Sequence, residues 1–309
     1  MVSARRLGDG LAHSLLKGRD ARLSRPALPN LESLGAFMKT FDNRSVFLAV
    51  SGGYDSTCLM LYYALRGYRI HPVHFIYDSR QVDLEAEALK RILDRMYFNV
   101  APLEIVELPI SNTGTLSRKA NPSDVESGEY KDHSSVSTKV PGRNLLFLSA
   151  LANLAEAFKD TNPEVDVYLA CGIHRSDWEQ YPDTRPDFIR AAMTAIDLST
   201  EGRIICESPF VDYYKHQLIS VITLNGILCL PSSAYWMLGD SYSCYRAENS
   251  GHCGTCPTCR ERHHAFMESF GCDPTHYTVP PKSDRPILRV NAVGIDPRRG
   301  TSEDVRFHK

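Results

Sequence analysis

Apolar residues recur along this chain in two alternating rhythms. The apolar run at 46–50 reads as a buried parallel strand, and the short stretches at 68–77, 103–108 and 165–172, rich in β-branched, aromatic or aliphatic residues, read as further strands. Between them, 57–65, 84–96 and 145–158 repeat apolar positions at helical spacing, with Glu85, Glu87, Lys90 and Arg91 on the solvated face of the second. Another helix opens at Pro186, the residue favoured at a first helical position. A short strand at 204–206 and a helix at 214–224 complete the series. Strands alternating with helices predict an α/β fold, a Rossmann-like doubly wound parallel sheet with right-handed crossovers.

Where the rhythm fails, the chain divides. Residues 1–44 form an N-terminal extension with one amphipathic stretch around 31–41, and 45–230 carry the α/β pattern. Within that domain, 111–139 are rich in Ser, Asn, Lys and Asp, and read as a mobile lid or a tolerated surface insert. Residues 231–272 hold a cysteine cluster, and 273–309 are a Pro-rich tail suited to lying on the surface or on a partner. The Arg-rich start lacks the apolar core of a secretory signal, and Asp9 and Asp20 weaken a transit-peptide reading. No apolar stretch approaches the length of a membrane span. The net charge of −2 makes no case for nucleic-acid binding, and 43% hydrophobic content is that of a soluble cytoplasmic protein with a sizeable core.

Chemistry begins at the first strand–helix junction. Leu48, Ala49 and Val50 lead into Ser51-Gly52-Gly53-Tyr54-Asp55-Ser56, followed by Thr57. Glycines without β-carbons let the backbone close on an anion, and the helix start aims free N–H groups and positive dipole at the same point. Ser51 and Ser56 add hydroxyl donors, and Asp55 stands where the Mg²⁺ of a nucleotide would sit. No G-K-S/T closes the loop, so it is not a Walker A motif. A plain glycine turn is the bland alternative.

Nine cysteines are present, and four, Cys244, Cys253, Cys256 and Cys259, have C-x8-C-x2-C-x2-C spacing. Two-residue spacers let thiolates converge on one tetrahedral ion, and four sulfurs leave no open position, which points to structural Zn²⁺. An iron–sulfur cluster is the other candidate for such spacing. His252 adjoins a ligand position but finds the shell already filled. The scattered remaining cysteines fit a reducing compartment.

Between the two motifs, Tyr181, Asp183, Arg185 and Phe188 lie beyond the fourth strand, where open α/β sheets bind ligands. A carboxylate such as Asp183 can accept two N–H donors from a base edge while Tyr181 or Phe188 stacks on the ring. A solvated loop with an Asp/Arg pair is the alternative. Arg143, Lys215 and Arg185 are candidate cations for phosphates, with Lys215 otherwise a solvated lysine near a helix start.

Taken together, S-G-G-Y-D-S (51–56), P-G-R-N-L-L-F-L-S (141–149), Y-P-D-T-R-P-D-F-I (181–189), S-C-Y (243–245) and H-C-G-T-C-P-T-C-R-E-R (252–262) are similar to the 7-cyano-7-deazaguanine synthase family, QueC, of the ATP pyrophosphatases. The resemblance runs from about 46 to 266. It implies adenylation of 7-carboxy-7-deazaguanine by Mg-ATP, with ammonia as acceptor, a nitrile product and a homodimer. It also implies that Ser51 to Thr57 hold phosphates, that Asp55 places Mg²⁺, and that Tyr181, Asp183 and Arg185 read the base. The family's usual D-Y-G-Q is replaced here by Asp78-Ser79-Arg80-Gln81. Both terminal extensions fall outside the resemblance, so a protein amine as acceptor, as in related antiviral defence enzymes, is the second reading. A zinc-ribbon binding module with a vestigial loop is the third.

Overall fold

A computed structural model describes residues 43–96, 98–125, 138–224, 226, 228–246 and 251–282. The strands are β1 (Arg44–Ala49), β2 (Arg69–Ile76), β3 (Glu104–Glu107), β4 (Asp166–Ala170) and β5 (Ile204–Glu207). They form one parallel sheet in the order β3-β2-β1-β4-β5. The helices are α1 (Tyr54–Ala64), α2 (Val82–Asp94), α3 (Arg143–Thr161), α4 (Pro186–Ser199), α5 (Leu218–Ile222), α6 (Ser232–Asp240) and α7 (Pro257–Phe270). The chain builds outward from β1 to β3 and then returns to lay β4 on the other side of β1. That reversal opens a crevice beyond the carboxyl ends of β1 and β4, the place where doubly wound sheets take ligands.

Two cores explain why both faces of the central strands are apolar. On one face Val46, Leu48 and Ile70 pack with Leu59, Leu61, Leu89 and Ile92 of α1 and α2. On the other, Phe47, Val73 and Leu169 meet Leu148, Leu151, Ile189 and Ile196 of α3 and α4. Alternation along β1 sends neighbouring side chains to opposite cores, so Ser45 to Leu48 are all buried.

The segment 231–272 is not held by its cysteines alone. Ala234, Tyr235, Met237 and Leu238 of α6, and Ala265, Phe266 and Phe270 of α7, join the core beneath α1. Fully buried Arg262 cross-links the segment, donating to Ser241 Oγ (2.7 Å), Leu238 O (2.9 Å), Gly239 O (3.1 Å) and Thr275 Oγ1 (2.8 Å).

Nor is the first half of the expected lid loose. Leu116, Ser117 and Val125 are buried, Ser117 Oγ donates to Asp78 Oδ2 (2.7 Å), and Asn112 Nδ2 donates to the Asp78 carbonyl (2.8 Å). Arg80 completes the strap: its N–H donates to the Leu116 carbonyl (2.8 Å) and its guanidinium to that of Ala120 (2.5 Å). The same Asp78–Gln81 run that departs from the family pattern therefore ties down 111–125. A polar composition resembles disorder until its hydrogen-bond partners, distant in sequence, are known. The remainder of that insert (126–137), the amphipathic stretch at 31–41 and the tail from 283 lie outside the described residues.

Candidate active site

The Ser51–Ser56 loop is a junction of three elements. Gly52 has φ +85, and a β-carbon there would stand 2.3 Å from the Glu85 carbonyl and 2.8 Å from the Leu89 nitrogen. Only glycine permits both the left-handed backbone and this approach to α2. Gly52→Ala is expected to destabilise the protein by about 2–5 kcal/mol, combining left-handed strain with overpacking. A thermal melt with the wild-type midpoint would show that the loop has room to shift.

From the third side, the Tyr242 N–H donates to the Gly52 carbonyl (2.9 Å), so the chain approaching the cysteine cluster also pins the loop. Ser51 Oγ accepts from the Gly53 N–H (3.1 Å) and stands 3.4 Å from Ser56 Oγ. The first intrahelical bond of α1 runs from Thr57 N–H to Gly53 O (3.1 Å), which leaves the amides of Tyr54, Asp55 and Ser56 without intrahelical partners.

In front of these amides sits a charge cluster. Asp55 Oδ2 lies 3.2 Å from Lys215 Nζ, and Asp55 Oδ1 lies 3.2 Å from His174 Nε2. His174 is also 3.5 Å from Asp177 Oδ2, and Lys215 is 3.6 Å from Glu261 Oε2. The imidazole contacts are ion-pair approaches rather than aligned hydrogen bonds. Burial alone would raise the Asp55 carboxyl, but Lys215 and His174 override it and hold the group ionised, well below the usual carboxylate range. Burial likewise disfavours the His174 imidazolium, yet Asp177 and Asp55 lift it to about 9. Lys215 is held charged by Asp55 and Glu261 against the same desolvation. The outcome is two buried cations facing a carboxylate that is a third exposed toward the cavity.

This cluster forms one wall of a cavity of about 250 Å³. Ala49, Val50, Ser51, Gly53, Tyr54, Asp55, Ser56, Arg143, Tyr181 and Lys215, all singled out in the sequence, line it. Leu48 and Thr57 are instead fully buried beneath the loop. Gly52 shapes the turn through its contact with α2.

Three of the expected base-reading residues stand elsewhere. Asp183 accepts from the Asn144 N–H (3.3 Å) at the start of α3, and its carbonyl accepts from Asn144 Nδ2 (3.0 Å). Arg185 Nε donates to the Trp178 carbonyl (3.0 Å) on the surface, and Phe188 packs against the core under α3 and α4. Asp183 lies within the tight 3-10 turn at Pro182–Thr184, and Arg185 and Phe188 follow it into α4.

Residues given no role from the sequence fill the gap. His174, Asp177, Glu261, His74 and Glu85 all line the cavity or touch Asp55. Glu85 was assigned to the wet face of α2; instead burial against the loop pushes its carboxyl up to about 7, with Arg143 opposing. His74 Nδ1 sits 2.8 Å from the Val50 carbonyl, so that nitrogen carries the proton and Nε2 is left as an acceptor. The opening of the cavity carries aromatic walls: Phe147 stacks on Phe75 with centroids 4.4 Å apart, and Arg143 donates to the Tyr77 hydroxyl (3.4 Å).

The cysteine cluster is folded as its spacing demands. One sulfur from each of Cys244, Cys253, Cys256 and Cys259 lies within 4.8 Å of all the others. The Cys253 sulfur accepts N–H bonds from Thr255 (3.4 Å) and Cys256 (3.3 Å), and the Cys244 sulfur accepts from Cys253 N–H (3.4 Å). Converging sulfurs that accept amide donors suit thiolates on a metal ion. Gly254, at φ +76, makes the knuckle, and a β-carbon there would collide with the Val279 carbonyl. His252 is turned away: its Nε2 accepts the Ser243 N–H (3.1 Å). Cys256 caps α7, the helix that carries Glu261, so cluster and charge network share one rigid element.

Comparison with known proteins gives a consistent set of relatives. A family profile described as "Queuosine biosynthesis protein QueC" matches residues 45–270. The 7-cyano-7-deazaguanine synthase of Saccharophagus degradans is 31% identical over 241 residues, 76% of this chain and 98% of that protein. That of Methanoculleus marisnigri is 32% identical over 233 residues, 74% and 96% of the two chains. Among solved structures, a U34-tRNA thiolase from Methanococcus maripaludis with its 4Fe–4S cluster aligns over 71% of each chain at 14% identity and a TM-score of 0.32, a likeness too slight to bear on the metal. Among the described residues, no helix is long and apolar enough to cross a membrane.

Proposed function

This chain belongs to the QueC family of queuosine biosynthesis proteins, and from that premise we propose that it adenylates 7-carboxy-7-deazaguanine with Mg-ATP and converts the activated acid, with ammonia, to 7-cyano-7-deazaguanine. The observation that carries this reading is the Asp55–Lys215–His174 cluster set against the helix start of α1, within one cavity.

In this scheme the amides of Tyr54 to Ser56 and the Ser51 and Ser56 hydroxyls grip the phosphates of the nucleotide. Asp55, kept ionised by its two cations, is the group that positions Mg²⁺ arriving with ATP. The substrate carboxylate attacks the α-phosphorus and pyrophosphate leaves. Lys215 and Arg143 face the charge that develops on the phosphoryl oxygens. Ammonia adds at the acyl carbon and AMP departs, giving the amide. A second adenylation on the amide oxygen, followed by loss of AMP and both N–H protons, leaves the nitrile. No protein nucleophile is required. Orientation of two substrates in one cavity can supply ~7–11 kcal/mol by itself.

The four cysteines would hold a structural Zn²⁺, whose chemistry is to fix the fold of 244–259 and, through α7, the position of Glu261. A homodimer goes with this reading and is checked by light scattering.

The test supplies ATP, Mg²⁺, ammonia and 7-carboxy-7-deazaguanine and follows AMP, pyrophosphate and the nitrile mass. Nitrile formation supports the proposal. The second reading is a protein amine as acceptor. It would appear as AMP release dependent on a partner protein and a matching mass adduct on that partner. ATP that is neither bound nor cleaved would revive the reading of a vestigial loop, against which the ordered charge cluster stands.

A further inference from the structure

Resting on the adenylation reading above, we infer that Glu85 is the residue that reads the 2-amino-4-oxopyrimidine edge of the substrate, in a subsite walled by Tyr77, Phe147, Tyr181 and Tyr245. Such an edge presents two N–H donors side by side, and the partner that satisfies both is a carboxylate offering two oxygens in one plane. Asp183 was the sequence's candidate, but it is committed to Asn144 outside the cavity lining.

The other carboxylates in the cavity are also engaged. Asp55 faces Lys215 and His174, Asp177 faces His174, and Glu261 faces Lys215. Glu85 lines the same cavity and accepts no hydrogen bond from the described residues. The same cavity is lined by the stacked Phe75–Phe147 pair and by the Tyr77 ring edge-on to Phe147 (5.8 Å), flat surfaces for a fused ring. Arg143, on the same cavity wall, is the charged group that opposes the desolvation of Glu85.

Position matters as much as chemistry. The Glu85 carbonyl is in contact with the phosphate loop, where a β-carbon on Gly52 would meet it at 2.3 Å. The base reader and the phosphate cradle are therefore parts of one packed junction, held at fixed separation. A ring docked on Glu85 is held in register with the nucleotide that must activate its carboxyl group. Burial, only partly offset by Arg143, pushes the Glu85 carboxyl up to about 7, and two ligand donors would return the solvation that burial removed.

The experiment compares AMP release from two acids, 7-carboxy-7-deazaguanine and its analogue lacking the 2-amino group, in wild type, Glu85→Gln and Glu85→Asp. Loss of one hydrogen bond to a charged group is worth roughly tenfold to 100-fold, so wild type should prefer the amino-bearing acid by about that factor in kcat/KM. In Glu85→Gln the preference should collapse to within about threefold, mainly through a raised KM for the amino-bearing acid. Glu85→Asp, with its carboxylate withdrawn by one methylene, should retain part of it, and thermal melts confirm that both variants fold.

A Gln variant that keeps the wild-type preference overturns the inference. So does one that loses kcat alone with the preference intact, since that marks a proton acceptor for the amine instead. Wild type that releases no AMP with either acid overturns the adenylation reading itself, a failure distinct from unaltered preference in an active enzyme.

Discussion

Asp55→Asn should lower AMP and pyrophosphate release by roughly 10³-fold, the ~4 kcal/mol expected when a carboxylate that orients a metal–phosphate complex loses its charge. The substitution keeps the volume of the side chain, so the packing of α1 is untouched. It removes the anion that Lys215 and His174 both face at 3.2 Å. Those cations are not stranded, because Glu261 remains 3.6 Å from Lys215 and Asp177 remains 3.5 Å from His174. Stability should therefore fall by only about 1–3 kcal/mol, the scale of a lost buried polar partner. The His174 imidazolium should also titrate below its present value of about 9, since one of its two carboxylates has become neutral. Imidazole NMR resonances report that shift independently of turnover. An Asn variant that releases pyrophosphate at the wild-type rate would remove Asp55 from the machinery and leave the cluster as a structural ion network.

Cys256→Ser, or removal of the metal by a chelator, should act on stability and activity together. The cluster closes a segment that is already packed, so unfolding of the whole chain is not expected. A loss of roughly 3–5 kcal/mol would lower Tm by about 10–15 °C, at the few degrees per kcal/mol expected for a chain of this size. Activity should fall with it, because Cys256 caps α7, which holds Glu261 against Lys215, and because Tyr242, two residues before Cys244, holds the Gly52 carbonyl. Metal analysis of purified protein distinguishes the candidates: one colourless zinc per chain, or iron with sulfide and visible absorption. Equal stability and equal turnover without any metal would show the four thiols to be packing groups alone.

The proportion of this protein that can be read from its sequence follows from the range of the forces involved. Strand and helix identity rest on neighbours two to four residues apart, so the five strands, the phosphate loop and the C-x8-C-x2-C-x2-C spacing were all legible. Arg143, Lys215 and Tyr181 were recognisable as candidates because they belong to runs with a chemical theme, and all three line the cavity. Helices α6 and α7 were not foreseen: α6 is short, cysteine and histidine interrupt the apolar spacing of α7, and both are buried against residues of α1 far earlier in the sequence.

Charge placement was the least legible feature. Glu85 and Glu87 both read as solvated charges in the sequence, yet α2 turns Glu85 into the cavity while its backbone meets Gly52. Asp183 carried the right chemistry on the right loop, but a single 3-10 turn points it to Asn144. His174, Asp177 and Glu261 reach Asp55 and Lys215 from three separate stretches of chain.

By itself, then, the sequence determined the parallel α/β architecture, the glycine turn at the first strand–helix junction and the four-thiol knuckle, because each is encoded by contiguous residues and local backbone geometry. Tertiary structure alone decided which carboxylates are ionised, which are engaged and which faces the cavity unpartnered. Desolvation and Coulombic pairing depend on atoms a few ångströms apart in space, whatever their separation along the chain.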